Sequence, residues 1–194
     1  MKIIFINRRK VGIIVITLGL MITLWGISKQ FDDKLKTTIL VENNISLLDD
    51  FEALSGKIAY KLPVGWTTQE KKFSSDEILY HNDFQSTDAV IHGFVEVWKS
   101  KGDLKAFLAN SKDISEEQNL IKNYKIDNVV VNGRKAYLVQ YLINVTGNDW
   151  YKACEYFIEG ENQFYRFSFF TRNVNFKESY GAIFESIVET LKVY

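Results

Sequence analysis

Only two histidines occur in the 194-residue chain, His81 and His92, and they share a short stretch with Asp83 and Asp88. Imidazole changes charge near neutral pH. Two imidazoles and two carboxylates also form a donor set for a divalent ion at ligand distances of about 2 Å. A hairpin of Glu77 to Asp83 and Asp88 to Lys99 around Phe84-Gln85-Ser86-Thr87 would set Asp83 opposite Asp88 and His81 opposite Val90. His92 would then be the diagonal neighbour of His81, at about 7–8 Å. Plainer roles compete with this. Aspartate flanks turns for backbone reasons, and the histidines can line a polar edge. His81, Asp83, Asp88 and His92 are therefore metal candidates only. The sequence assigns no metal site, catalytic residue or cofactor.

Other chemical signatures are thin. Gly12, Gly19 and Gly26 lie in an apolar run without the spacing of a phosphate loop, and neither a nucleophile elbow nor an HExxH helix is present. The single cysteine, Cys154, excludes an intrachain disulfide. It falls on the apolar face of a strand, as a small buried hydrophobe does. Asn44-Ile45-Ser46 and Asn144-Val145-Thr146 match the glycosylation pattern only weakly.

The formal charge is zero, from 24 basic and 24 acidic residues. Lys2, Arg8, Arg9 and Lys10 are the only charges before Ser28, which leaves 20 basic against 24 acidic residues beyond it. A domain of about −4 lacks the basic footprint that nucleic acid requires. Residues 11–27, from Val11 through Trp25 to Ile27, are apolar and uncharged. Seventeen residues at ~1.5 Å each reach about 25 Å, a short membrane span. The basic residues 1–10 predict a cytoplasmic N-terminus, and Trp25 suits the far interface. The reading is a single-pass signal anchor with the lipid bilayer as a partner and the rest of the chain outside the cytoplasm. A cleaved signal peptide, cut near Gly26-Ile27-Ser28, is the alternative.

Residues 28–55 read as a polar stalk. Ile39-Leu40-Val41 is a possible strand within it, and Leu47, Leu48, Phe51 and Leu54 have helical spacing. A globular domain follows over 56–194, opening with the strand Ile58 to Leu62 and a turn at Pro63-Val64-Gly65. Asp103 caps a short helix that turns Leu104, Phe107 and Leu108 inward. A polar segment, Ser111 to Lys122, leads on.

Tyr124 to Thr171 then reads as a four-strand antiparallel meander. Asn132-Gly133 is a strong hairpin signal and opposes Ile126 to Val139 and Tyr124 to Tyr141. Gly147-Asn148, taken as a two-residue turn, opposes Tyr141 to Cys154, Val139 to Tyr156 and Tyr137 to Ile158. A turn within Gly160-Glu161-Asn162 adds Tyr165, Phe167 and Phe169. These registers give one apolar face and one mixed, half-covered face with Leu138, Gln140, Ala153, Glu155 and Phe157. Phe176, Tyr180, Ile183, Phe184, Ile187, Val188 and Leu191 form the apolar stripe of a closing helix, with Asn175 and Glu178 as a capping box. The class is α+β, an antiparallel sheet of about six strands flanked by helices.

The order of these motifs resembles the PsbP-like domains and their bacterial, DcrB-type relatives. The resemblance rests on Tyr60-Lys61-Leu62-Pro63-Val64-Gly65-Trp66, Asn132-Gly133-Arg134-Lys135-Ala136-Tyr137, Tyr156-Phe157 through Gly160 to Phe169, and Phe184-Glu185-Ser186-Ile187. It implies an α/β/α sandwich and a binding or assembly role without catalysis. The expected function is an extracytoplasmic, membrane-anchored module that recognises another protein or an envelope component. Its surface would be the half-covered sheet face or the loops around Trp66 and Trp98. A metal-dependent enzyme using the His/Asp cluster and a small-ligand carrier are the alternatives.

Overall fold

The computed structural model describes residues 48–74, 76–100, 102–117, 121–144 and 149–194. The expected anchor, with Val11, Trp25 and Ile27, and nearly all of the stalk lie outside these residues. Among the described residues no helix is long and apolar enough to cross a membrane.

Among the described residues, ten strands form two antiparallel sheets. The larger has seven strands, one more than expected: β3 (Thr67–Glu70), β4 (Ile78–Gln85), β5 (Ile91–Lys99), β6 (Ile121–Val131), β7 (Arg134–Asn144), β8 (Trp150–Glu159) and β9 (Gln163–Arg172), in the order β3-β4-β5-β9-β8-β7-β6. The smaller joins β1 (Leu48–Ala53), β2 (Ile58–Pro63) and β10 (Lys192–Val193), with β2 in the centre. Helix α1 (Leu104–Glu117) lies on one face of the large sheet. Helix α2 (Tyr180–Val188) and the small sheet cover the other.

Both faces of the large sheet are therefore core. On the α1 side Leu104 and Leu108 meet Phe94, Trp98, Tyr141, Phe157, Phe164 and Phe170. On the α2 side Phe184, Ile187 and Val188 meet Tyr60, Val95, Phe167 and Phe169, with the Phe169 and Phe184 rings stacked at 4.2 Å. Cover on both faces leaves β5 and β9 buried almost throughout, their polar residues His92, Glu96, Arg166, Ser168 and Thr171 included.

Several expectations are corrected. The Asn132-Gly133 hairpin pairs Ile126 with Val139, as read, but a bulge between Lys122 and Lys125, with Asn123 at φ 56°, takes Tyr124 out of the ladder. Its ring still stacks on Tyr141 at 6.0 Å. The last hairpin pairs Ile158 with Tyr165 and Tyr156 with Phe167, as read. The middle one does not. Asn144 pairs with Trp150, so the connection holds five residues, 145–149, and Tyr141 faces Ala153 instead of Cys154. That one-residue slip exchanges faces. Tyr137, Val139 and Tyr141 join Phe157, Glu155 and Ala153 on the α1 side, and Leu138, Gln140 and Leu142 stay half-buried on the other.

Leu48, Phe51 and Leu54 do not form a helix. Leu48–Ala53 is a strand that pairs along β2, so the folded unit begins before residue 56. Helix α1 runs on to Glu117, well into the polar segment Ser111 to Lys122, and Ile121 and Lys122 open β6. Helix α2 begins after Ser179, whose side chain makes no capping bond, and not at an Asn175–Glu178 box. Gly93 marks where β5 crosses Phe84: a Cβ there would lie 1.9 Å from the Ser168 carbonyl oxygen and 2.5 Å from Phe84 Cζ.

Candidate functional site: a charge network under helix α1

Two neighbouring rungs of the large sheet gather the buried charges. One rung runs His81, Glu96, Arg166, Phe157 across β4, β5, β9 and β8. The next runs Asp83, Phe94, Ser168, Glu155. Period-two alternation sends all of these side chains to the α1 face. Glu96, Glu155 and Arg166 are buried, a position that charged groups hold only when paired and hydrogen-bonded.

The pairing is nearly complete. The Arg166 guanidinium donates from Nε to Glu155 Oε2 at 2.7 Å and from Nη1 to Glu96 Oε2 at 3.2 Å, and Nη2 also meets Glu155. Its plane lies over Phe94 at 4.8 Å and Phe157 at 5.2 Å. Glu155 accepts further bonds from Tyr141 and Ser168. Glu96 accepts from Trp98 Nε1 at 2.8 Å. Burial works against the Arg166 charge, but the two glutamates outweigh it and raise its pKa. Burial and the Glu155 charge hold the Tyr141 hydroxyl well above its usual range.

His81 sits at the outer end of this network. Nδ1 lies 2.7 Å from Glu96 Oε1 and Nε2 lies 2.8 Å from Asp83 Oδ1. A neutral imidazole has one N–H, so two carboxylate partners call for the doubly protonated ring. Burial alone would lower its pKa; the bonds to Asp83 and Glu96 overcome that and raise it. Burial likewise disfavours the Asp83 carboxylate, but His81 and Lys71 hold its pKa down. Lys71 reaches Asp83 from the β3–β4 connection, and the Phe73 ring caps His81 edge-on at 4.9 Å. Three acids, Asp83, Glu96 and Glu155, thus balance Lys71, imidazolium His81 and Arg166. Every charge is matched inside the fold, which makes the network a rigid positioning element for four strands.

The four metal candidates do not converge. Asp83 and His81 meet, as neighbours on one face. His92 opposes Gln85, not the residues near His81. It lies four steps along β5 from Glu96, or about 13 Å at ~3.3 Å per residue. Asp88 stays in the β4–β5 loop, where it accepts from Ser86 Oγ at 2.6 Å and from the Val90 N–H at 3.1 Å. The loop is Asx-type and starts later than Phe84, which moves the partner of His81 six residues along β5, from Val90 to Glu96. Among the described residues no group of histidines, cysteines and carboxylates suits a metal ion. His92 is buried, and burial pushes its pKa down to about 4, so the ring is neutral near pH 7.

Trp98, expected near an interaction surface, is core: it is buried and stacks on Phe164 at 6.0 Å. Trp66 is half-buried and rests on Phe84 at 5.4 Å. Cys154 is buried, with its thiol pKa raised by burial. Sequence reasoning missed the Glu96–Arg166–Glu155 core. The available signal was a charge set directly between apolar residues: Glu96 between Val95 and Val97, Glu155 between Cys154 and Tyr156, and Arg166 between Tyr165 and Phe167.

No protein-family model matches the chain, and no curated protein matches it by sequence. Solved structures do. The chain is similar to the cyanobacterial PsbP (CyanoP) of Synechocystis sp. PCC 6803, with a TM-score of 0.56 at 12% identity, covering 82% of this chain and 99% of that one. It is also similar to a protein of Bacteroides thetaiotaomicron VPI-5482, with a TM-score of 0.51 at 12% identity, covering 75% of this chain and 48% of that one. The element order, the seven-stranded antiparallel sheet and these matches together give the chain a PsbP-like α+β fold.

Proposed function

We propose that the protein is a membrane-anchored, extracytoplasmic, non-catalytic module that recognises another protein or an envelope component, and that it is related to the DcrB-type bacterial branch of PsbP-like domains. The observation that carries this reading is the closure of the charge network. His81, Glu96, Glu155 and Arg166 spend their hydrogen-bonding groups on one another and on Trp98, Tyr141 and Ser168 beneath α1. Such side chains stiffen a platform and leave its surface loops to make contacts. The uncharged run 11–27 after three consecutive basic residues supports the anchor and its orientation. Crosslinking of the full chain in its native membrane, followed by identification of the adducts, tests the reading. A discrete heterologous adduct is expected. Recovery of free monomer alone overturns it.

A further inference from the structure

One end of the strands gathers the β2–β3 turn, the β4–β5 loop and the segment between β9 and α2. Thr87 Oγ1 donates to the Gly65 carbonyl at 2.9 Å, which ties the first two together, and Ile91 pairs with Thr171 beside the third. This rim exposes aliphatic side chains that nothing in the fold requires to be exposed: Val64 at 51% and Val174 at 87%. Half-buried aromatic rings stand among them, each near a lysine. Lys122 lies over Trp150 at 4.3 Å, Lys152 over Phe176 at 5.9 Å and Lys177 over Tyr180 at 6.0 Å. Trp150 belongs to this end because it pairs with Asn144. Protruding aliphatics surrounded by aromatic rings and lysines are the chemistry of a bilayer interface, where rings sit at headgroup level and ammonium groups reach to the phosphates.

The chain's entry point lies at this same end. Leu48 pairs with Pro63, next to Val64. Twenty residues, 28–47, separate it from the apolar run 11–27. At ~3.3–3.6 Å per residue, twenty residues cannot hold it more than about 70 Å from that run. A tether of that reach holds the rim at an effective concentration of order millimolar, so weak adhesion suffices to keep it seated. The opposite end also exposes Val130 and Tyr194, but the tether does not arrive there.

We infer that the Val64–Trp66 turn and Val174 dock on the lipid surface, so that the domain stands on the membrane with its strands upright and its Asn132-Gly133 end outermost. This rests on the anchored reading above. The test uses the full chain in phosphatidylcholine vesicles that carry brominated acyl chains. A thiol-reactive fluorophore is placed at one of four positions: Val64→Cys, Val174→Cys, Val130→Cys or Leu18→Cys. Buried Cys154 stays unlabelled. Probes at 64 and 174 are expected to be quenched and the probe at 130 is not. If 64 and 174 emit like 130, the docking is overturned, whatever the probe at 18 shows. The probe at 18 separately decides the anchor, since failure of the anchored reading leaves it unquenched. Protection of 64 and 174 in native membranes, but not in pure lipid, would assign the rim to a protein partner and also overturn the inference.

Discussion

Replacing Arg166 with methionine tests the charge network directly. The substitution keeps much of the side-chain volume and removes the guanidinium, which is 3% exposed. Lost with it are the bonds from Nε to Glu155 and from Nη1 to Glu96, the Nη2 contact, and the stacking over Phe94 and Phe157. Glu96 keeps His81 and Trp98, and Glu155 keeps Tyr141 and Ser168, so neither becomes wholly bare. Two buried carboxylates nevertheless face each other without their shared cation. Breaking a buried pair on one side costs about 3–5 kcal/mol, a large share of the ~5–15 kcal/mol that holds a domain folded. Urea unfolding of the full chain in detergent, followed by tryptophan emission, measures it. The triple variant Glu96→Gln, Glu155→Gln, Arg166→Met removes the charges together and is expected to recover at least half of the loss. If R166M unfolds within about 1 kcal/mol of the parent, or if the triple variant is no better than R166M, the network does not hold the strands as described.

Further outcomes follow from the histidines and from close contacts. His92 has its pKa lowered from 6.5 to about 4, so the unfolded chain binds its proton first; stability falls as pH drops from 6.5 towards 4. The gap of about 2.5, at ~1.4 kcal/mol each, gives about 3 kcal/mol, and His92→Leu should flatten this limb in urea unfolding at stepped pH. His81 acts in the opposite sense: with its pKa raised, its contribution is complete below 6.5 and is lost as pH rises through the folded value, and His81→Gln should abolish that alkaline loss. Gly93→Ala places a methyl 1.9 Å from the β9 backbone and should destabilise by about 3 kcal/mol or more, seen as a fall in Tm or loss of soluble protein. Asn132→Asp keeps the left-handed turn but removes the Nδ2 bonds to the Glu189 and Leu191 carbonyls, at 2.8 and 2.9 Å, and should cost about 1–2 kcal/mol by thermal unfolding.

Much of the architecture was legible because local chemistry determined it. Asn132-Gly133 needs φ > 0 at both positions and has it, at 50° and 76°. The closing helix declared itself through Phe184, Ile187 and Val188. The Gly147-Asn148 register failed because the pair does not set the loop length, and apolar residues on both faces of β7 and β8 make either parity look reasonable. The β4–β5 register failed for a related reason: Asp88 serves the turn itself. The charge network was illegible for want of the right neighbours. Glu96 and Arg166 are 70 residues apart in sequence, and their contact depends on β9 inserting beside β5, a crossover that no local pattern announces.

The central place of β2 in the small sheet has a mechanical consequence. β1 grips it along six rungs on one side, and Lys192–Val193 grips it on the other. A load entering at Leu48 and directed along the strands is shared by all six rungs at once, in shear. The last few residues of the chain act as a brace against that pull: clipping them before Leu191 would leave β2 held from one flank only, and the domain would yield to force well before it lost its resting shape.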